Sequence, residues 1–189
     1  MRRYFEGWYL KHQSETESLA LIPSYHYDRT GAAAGSLQVI TPEWSRQVSF
    51  SHFRFRREAM QFTLGENQFS ARGCTLRLDT PELSLDGSLG YGPLAPPPRD
   101  VMGPFRFVPG LQCRHSVFSL GHSVTGAVTV NGKRMEFDRA TGYTVSYTHL
   151  AAAAMPRSPC FCRRTVPGFW PAARSRRRPS PCPRAGPFS

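Results

Sequence analysis

Residues 124–138, VTGAVTVNGKRMEFD, read as two strands joined by a tight turn. Val124, Gly126, Val128 and Val130 alternate with Thr125, Ala127 and Thr129. Successive side chains on a strand point to opposite faces, so this period gives one apolar and one polar face. Asn131-Gly132 follows, and both central positions of such a turn need positive φ, which Asn and Gly tolerate best. Met135 and Phe137 then alternate with Arg134, Glu136 and Asp138. A two-residue loop sets Val128 opposite Met135 and Gly126 opposite Phe137, with Thr129/Arg134 and Ala127/Glu136 on the other face.

A second ribbon precedes the first. Cys74, Leu76 and Leu78 alternate with Thr75, Arg77 and Asp79; Thr80-Pro81-Glu82 turns the chain; Leu83, Leu85 and Leu89 alternate with Ser84, Asp86 and Ser88. Shorter β-like runs lie at Tyr4–Lys11, Leu19–Ile22, Ser36–Ile40, Gln47–Phe53 and Met60–Leu64. Tyr91–Arg99 carries Pro93 and Pro96-Pro97-Pro98 and reads as a loop. No segment keeps a 3.6-residue apolar period for three turns. Many short strands joined in sequence predict an all-β, antiparallel barrel or sandwich. Large aromatics gather near both ends of this region: Tyr4, Phe5, Trp8 and Tyr9, then Phe105, Phe107 and Phe118. They fit a packed core, or the wall of an apolar cavity inside a barrel.

Composition changes near residue 145. Residues 151–189 hold eight Arg, eight Pro and three Cys, with no Lys, Asp or Glu. They supply +8 of the net +11. Arg174-Ser-Arg-Arg-Arg178 would hold any polyanion loosely, so basicity argues for no specific nucleic acid. The apolar content is too low to offset the entropy of ordering, and a disordered tail is expected over 145–189. Before the break the only cysteines are Cys74 and Cys113, which fits a reducing compartment. The N-terminus, Met1-Arg-Arg-Tyr-Phe-Glu-Gly-Trp8, has no apolar signal region. The expected location is cytoplasmic, which leaves room for a transient contact with a membrane surface; no stable protein partner is expected. Cys113, His115 and His122 lack a standard zinc spacing, and on a strand His122 falls on the opposite face from the other two, so no metal site is expected.

Two stretches are more specific than strand filler. One is Tyr4-Phe-Glu-Gly-Trp-Tyr-Leu-Lys-His-Gln13. The other is Asp100-Val-Met-Gly-Pro-Phe-Arg-Phe-Val-Pro109 with Cys113-Arg-His-Ser-Val-Phe-Ser-Leu-Gly-His122. In this order, with the Asn131-Gly132 hairpin and Gly142-Tyr143, residues 1–143 resemble the tocopherol cyclase-like family, in particular its bacterial members. The resemblance implies a lipocalin/calycin-like barrel over residues 1–144. It stops after Gly142-Tyr143, where the family continues with a charged segment and a second strand-rich half. Here Val145-Ser-Tyr-Thr-His-Leu150 follows instead, similar to the translation of a transposon-end sequencing adapter. A chimeric reading frame with a non-native tail, 145–189, is the expectation.

The family closes a chromanol ring on a prenylated hydroquinone, and the resemblance implies that chemistry for the intact parent. An acid protonates the alkene nearest the ring, and the phenol oxygen captures the tertiary cation. Such a site must be dry, needs an acid kept protonated by burial, and gains from aromatic faces near the cation. No cofactor is required. Glu6 and Asp100 are the acids within matching motifs. Glu6 shares a strand face with Tyr4, Trp8 and Leu10 and is the better placed, unless it pairs with an arginine such as Arg114. Asp100 follows Arg99 in a proline-rich loop and is otherwise a solvated turn residue. Trp8, Tyr9, Phe105, Arg114 and His115 are candidates for substrate binding. Without its second half the chain is expected to close no ring. The alternative is a barrel that holds an isoprenoid or other lipid without transforming it.

Overall fold

The computed structural model describes residues 3–28, 30–108, 111 and 113–151. The tail beyond 151 lies outside them. The fold is all-β and antiparallel. Its strands are β1 (Arg3–Gln13), β2 (Ser18–Tyr27), β3 (Ala33–Ile40), β4 (Ser45–Phe50), β5 (Phe53–Arg56), β6 (Gln61–Leu64), β7 (Asn67–Ser70), β8 (Gly73–Asp79), β9 (Ser84–Tyr91), β10 (Cys113–Val130) and β11 (Lys133–Ala151). They form one 11-stranded sheet in the order β4-β3-β2-β1-β11-β10-β9-β8-β7-β6-β5. The two end strands are consecutive in sequence, joined at Ser51-His52, so the sheet curls into a nearly closed barrel.

The 124–138 hairpin has the expected register. Val128 faces Met135, Gly126 faces Phe137, and Thr129 faces Arg134. Asn131 and Gly132 both have positive φ, 49° and 81°. The Asn131 side chain also accepts the Ser84 N–H at 2.9 Å, tying the turn to β9. The second ribbon pairs Cys74 with Leu89 and Leu78 with Leu85. Inward positions of both ribbons are closed to solvent: Leu76, Leu85, Leu89, Val128, Met135 and Phe137 expose 2% or less.

Three features depart from the sequence reading. The Gln47–Phe53 run is split by a bend into β4 and β5. A 3₁₀ turn, Gly103–Phe107, sits in the loop before β10 with proline in its first turn. And β11 runs past the composition boundary at 144. Its end, Val145–Ala151, pairs with Tyr9–Arg3 of β1, and Val145–His149 also faces β10. Val145 and Tyr147 alternate with Ser146 and Thr148 there, a pattern of period two that suits a strand whatever its origin. Among the described residues no helix is long and apolar enough to cross a membrane.

Candidate functional site

Strand β1 alternates strictly, so Glu6, Trp8, Leu10 and His12 share the inner face and all are buried. Antiparallel register places Tyr25 of β2 directly across from Glu6, and Tyr27 across from Tyr4. The Glu6 carboxylate is 1% exposed. Its Oε2 accepts the Tyr4 hydroxyl, the Tyr25 hydroxyl at 3.1 Å and the Arg57 guanidinium at 2.5 Å. Arg57 also donates to the Tyr4 oxygen at 3.2 Å.

Arg57 comes from the turn between β5 and β6, a segment far from Glu6 in sequence. Curling of the sheet brings that turn to Tyr4 and Glu6 of β1. The buried end of the pair is Glu6, while the Arg57 side chain is 59% exposed. Arg114, the arginine anticipated from sequence, is instead exposed and opposite Thr148, which is itself opposite Glu6. Burial raises the Tyr25 hydroxyl far above its ordinary range, and Tyr4 and Glu6 add to the rise. Tyr4 is raised first by burial and then by its bond to Glu6. Both phenols therefore stay protonated and act as donors. The Glu6 hydrogen bond raises Arg57 in turn.

One step inward from Glu6 is Trp8, 2% exposed. Phe55, Phe62 and Phe118 stand edge-on to its indole at centroid distances of 5.6, 6.0 and 6.2 Å. Tyr25 joins the same group through Phe53 and Phe55, at 5.3 and 5.1 Å. An aromatic nest thus adjoins a buried carboxylate.

The remaining sequence candidates are elsewhere. Tyr9 is on the outer face of β1, half-buried. His115 is exposed on the outer face, its ring 4.5 Å from that of Tyr147 and its Nε2 3.2 Å from Cys113 Sγ. Asp100 is exposed and accepts the Met102 N–H at 2.9 Å, as a turn residue does. Phe105, on the 3₁₀ turn, is 63% exposed. Glu6 and Trp8 are brought together; Asp100, Phe105, Tyr9 and His115 do not join them. Among the described residues no group of three His, Cys, Asp or Glu side chains could hold a metal ion.

A second buried polar group lies further along the same inner face. His12 Nδ1–H donates to the Leu19 carbonyl at 3.2 Å, which leaves Nε2 to accept the Tyr91 hydroxyl at 2.7 Å. Tyr91 approaches Cys74 Sγ at 3.6 Å and lies 4.9 Å from the His122 ring. His122 Nδ1 is 3.0 Å from Ser119 Oγ. The His122 ring occupies space that only a glycine opposite it leaves open: a Cβ on Gly142 would be 2.2 Å from Nε2. Gly142→Ala must displace a ring fixed by Tyr91 and Ser119, so it is expected to cost about 1–3 kcal/mol. In a His122→Ala background the same change is expected to be nearly neutral, a comparison that denaturant unfolding makes directly.

Burial lowers His12 to about 4, with the nearby His122 adding to the fall, and burial lowers His122 as well. A histidine whose folded value is depressed favours folding fully above its unfolded value of about 6.5. That contribution is lost as pH falls toward 4. The shift corresponds to about 3 kcal/mol. Stability is therefore expected to drop between pH 6.5 and 4 by about that much more in the native protein than in His12→Asn. Equal pH slopes in denaturant titrations would refute it.

Two concavities lie away from Glu6 and Trp8. One, about 450 Å³, is on the β6–β9 part of the sheet and is lined by residues such as Thr63, Gln68, Arg72 and Thr75. The other, about 150 Å³, lies between Trp44 and Met135.

With this geometry in view, the comparisons with known proteins are sparse. No family model matches the chain, and no curated protein does. Solved structures do. A Nitrosomonas europaea protein described as an AttH is 11% identical, with a TM-score of 0.47, over 83% of this chain and 54% of its own. CghA, solved with Sch210972, is 15% identical, with a TM-score of 0.48, over 77% of this chain and 46% of its own. CghA solved alone gives 15% and 0.47. The chain spans about half the length of these structures.

Proposed function

We propose that this chain is the front half of a tocopherol cyclase-type isomerase, which closes a chromanol ring on a prenylated hydroquinone. The observation that carries the reading is Glu6: a buried carboxyl held between two phenols and a guanidinium on one side and an aromatic nest on the other. It occurs in the very motif on which the sequence resemblance rests.

In this reading Arg57, which is largely solvated, turns outward and lets the ligand reach Glu6. A protonated Glu6 gives its proton to the trisubstituted alkene. The tertiary cation forms beside the faces of Trp8, Tyr25 and Phe55, whose quadrupoles attract it, in a site closed to water. Tyr4 and Tyr25 stabilise the carboxylate left behind. The phenol oxygen then bonds to the cation, and its proton returns to Glu6. No atom is gained or lost, as an isomerisation requires.

A second reading is a barrel that binds an isoprenoid or other lipid without changing it. The three donors already on Oε2 favour it, because they occupy Glu6 as an acceptor rather than presenting it as an acid. Geranylhydroquinone separates the two. Incubated with the longer protein that contains both halves, it is expected to become a chromanol of unchanged mass, detected by chromatography. Saturable binding with the ligand recovered intact supports the second reading, and absence of binding rejects both.

A further inference from the structure

Trp8 presents an aromatic surface and also carries an N–H. That group, Nε1–H, is buried and has no hydrogen-bond partner among the described residues. Leaving a buried donor unmet is unfavourable. The three rings around it offer no oxygen, and an aromatic face accepts an N–H only weakly. The cross-strand partner of Trp8 is Ser146, which brings another buried polar side chain beside it on the same face. Glu6, two residues away on β1, is already served by donors. A ligand reaching this region thus meets a fixed donor in an apolar surround and a carboxylate at its edge.

We infer that the Trp8 indole N–H selects ligands bearing an oxygen acceptor on an otherwise apolar skeleton, a quinol or quinone oxygen in place of a pure isoprenoid hydrocarbon. This rests on the proposed use of the Glu6–Trp8 region as the ligand site. Trp8 is then a specificity-determining residue: its rings contact the ligand and its N–H reads one atom of it. A hydrocarbon of the same shape would bury the N–H just as deeply and leave it unmet, so the oxygen gains what the hydrocarbon cannot.

The test uses geranylhydroquinone and geranylbenzene, which share a skeleton and differ in the two oxygens. The chain has three tryptophans, and a ¹⁵N-indole spectrum resolves each N–H. Trp8→Phe identifies the Trp8 signal; if that variant fails to fold, Trp44→Phe and Trp170→Phe identify it by elimination. Geranylhydroquinone is expected to shift the Trp8 indole proton downfield and to bind about tenfold more tightly than geranylbenzene. Trp8→Phe keeps an aromatic ring without the N–H, and most of that preference should vanish with it. Equal binding of the two ligands, or tight binding of geranylhydroquinone with the Trp8 signal unmoved, overturns the inference while leaving the functional reading intact. Failure of geranylhydroquinone to bind overturns both.

Discussion

Glu6→Gln is expected to cut ring closure by about 10²–10⁴-fold, the usual contribution of a general acid, while the fold survives. Gln keeps an oxygen that Tyr25 and Tyr4 can still donate to, so their buried hydroxyls are not abandoned. What it loses is the transferable proton and the charge facing Arg57. Breaking a fully buried ion pair typically costs about 3–5 kcal/mol because one charge stays buried alone. Here the surviving charge belongs to Arg57, whose side chain is 59% exposed and can return to water. The loss should be closer to that of an exposed pair, about 1 kcal/mol or less. Single-turnover rates on the longer protein and melting curves on this chain measure the two effects separately. A variant that is active but unstable would make Glu6 a structural anchor. One that is both active and stable would remove it from either role.

Trp8→Ala carries the largest expected loss of stability, about 3–5 kcal/mol. The indole is 2% exposed and is held edge-on by Phe55 and Phe62, from β5 and β6 at one end of the sheet order, and by Phe118 of β10 in its middle. β1 lies near the middle of that order, and β5 and β6 at one end. Trp8 therefore helps hold the curled sheet shut, and the cavity left by removing it opens between strands that no ladder joins. Trp44, half-buried near a turn, gives the comparison: Trp44→Ala should cost clearly less. Urea unfolding of both variants tests this, and equal losses would contradict it.

Much of the fold was legible in the residues because it rests on local rules. The 124–138 hairpin was set by alternation and by Asn131-Gly132, and its register is the expected one. Period alone also put Glu6 and Trp8 on one face of β1. Partners that depend on curling were not legible. Arg57 sits among Arg54, Arg56 and other exposed residues with no local mark, and only closure of the sheet brings it to Glu6. Arg114, in the other motif, carries the same charge, but strand β11 lies between its strand and that of Glu6. Tyr25 could have been found from the 19–27 alternation, which sets it on the same face as Leu19 and Leu21. His12 and Tyr91 are 79 residues apart and met only through the packed sheet. Tyr9 and His115 were drawn in by motif membership, yet strand alternation turns them outward.

Ligand is expected to bind at the Glu6–Trp8 region inside the sheet. Nuclear Overhauser contacts from bound geranylhydroquinone locate it without any variant. Contacts are expected from the hydroquinone ring to Tyr25 and from the geranyl chain to Trp8, Phe55 and Phe62. Contacts confined to Thr63, Gln68 and Thr75, in the 450 Å³ concavity on β6–β9, would contradict it.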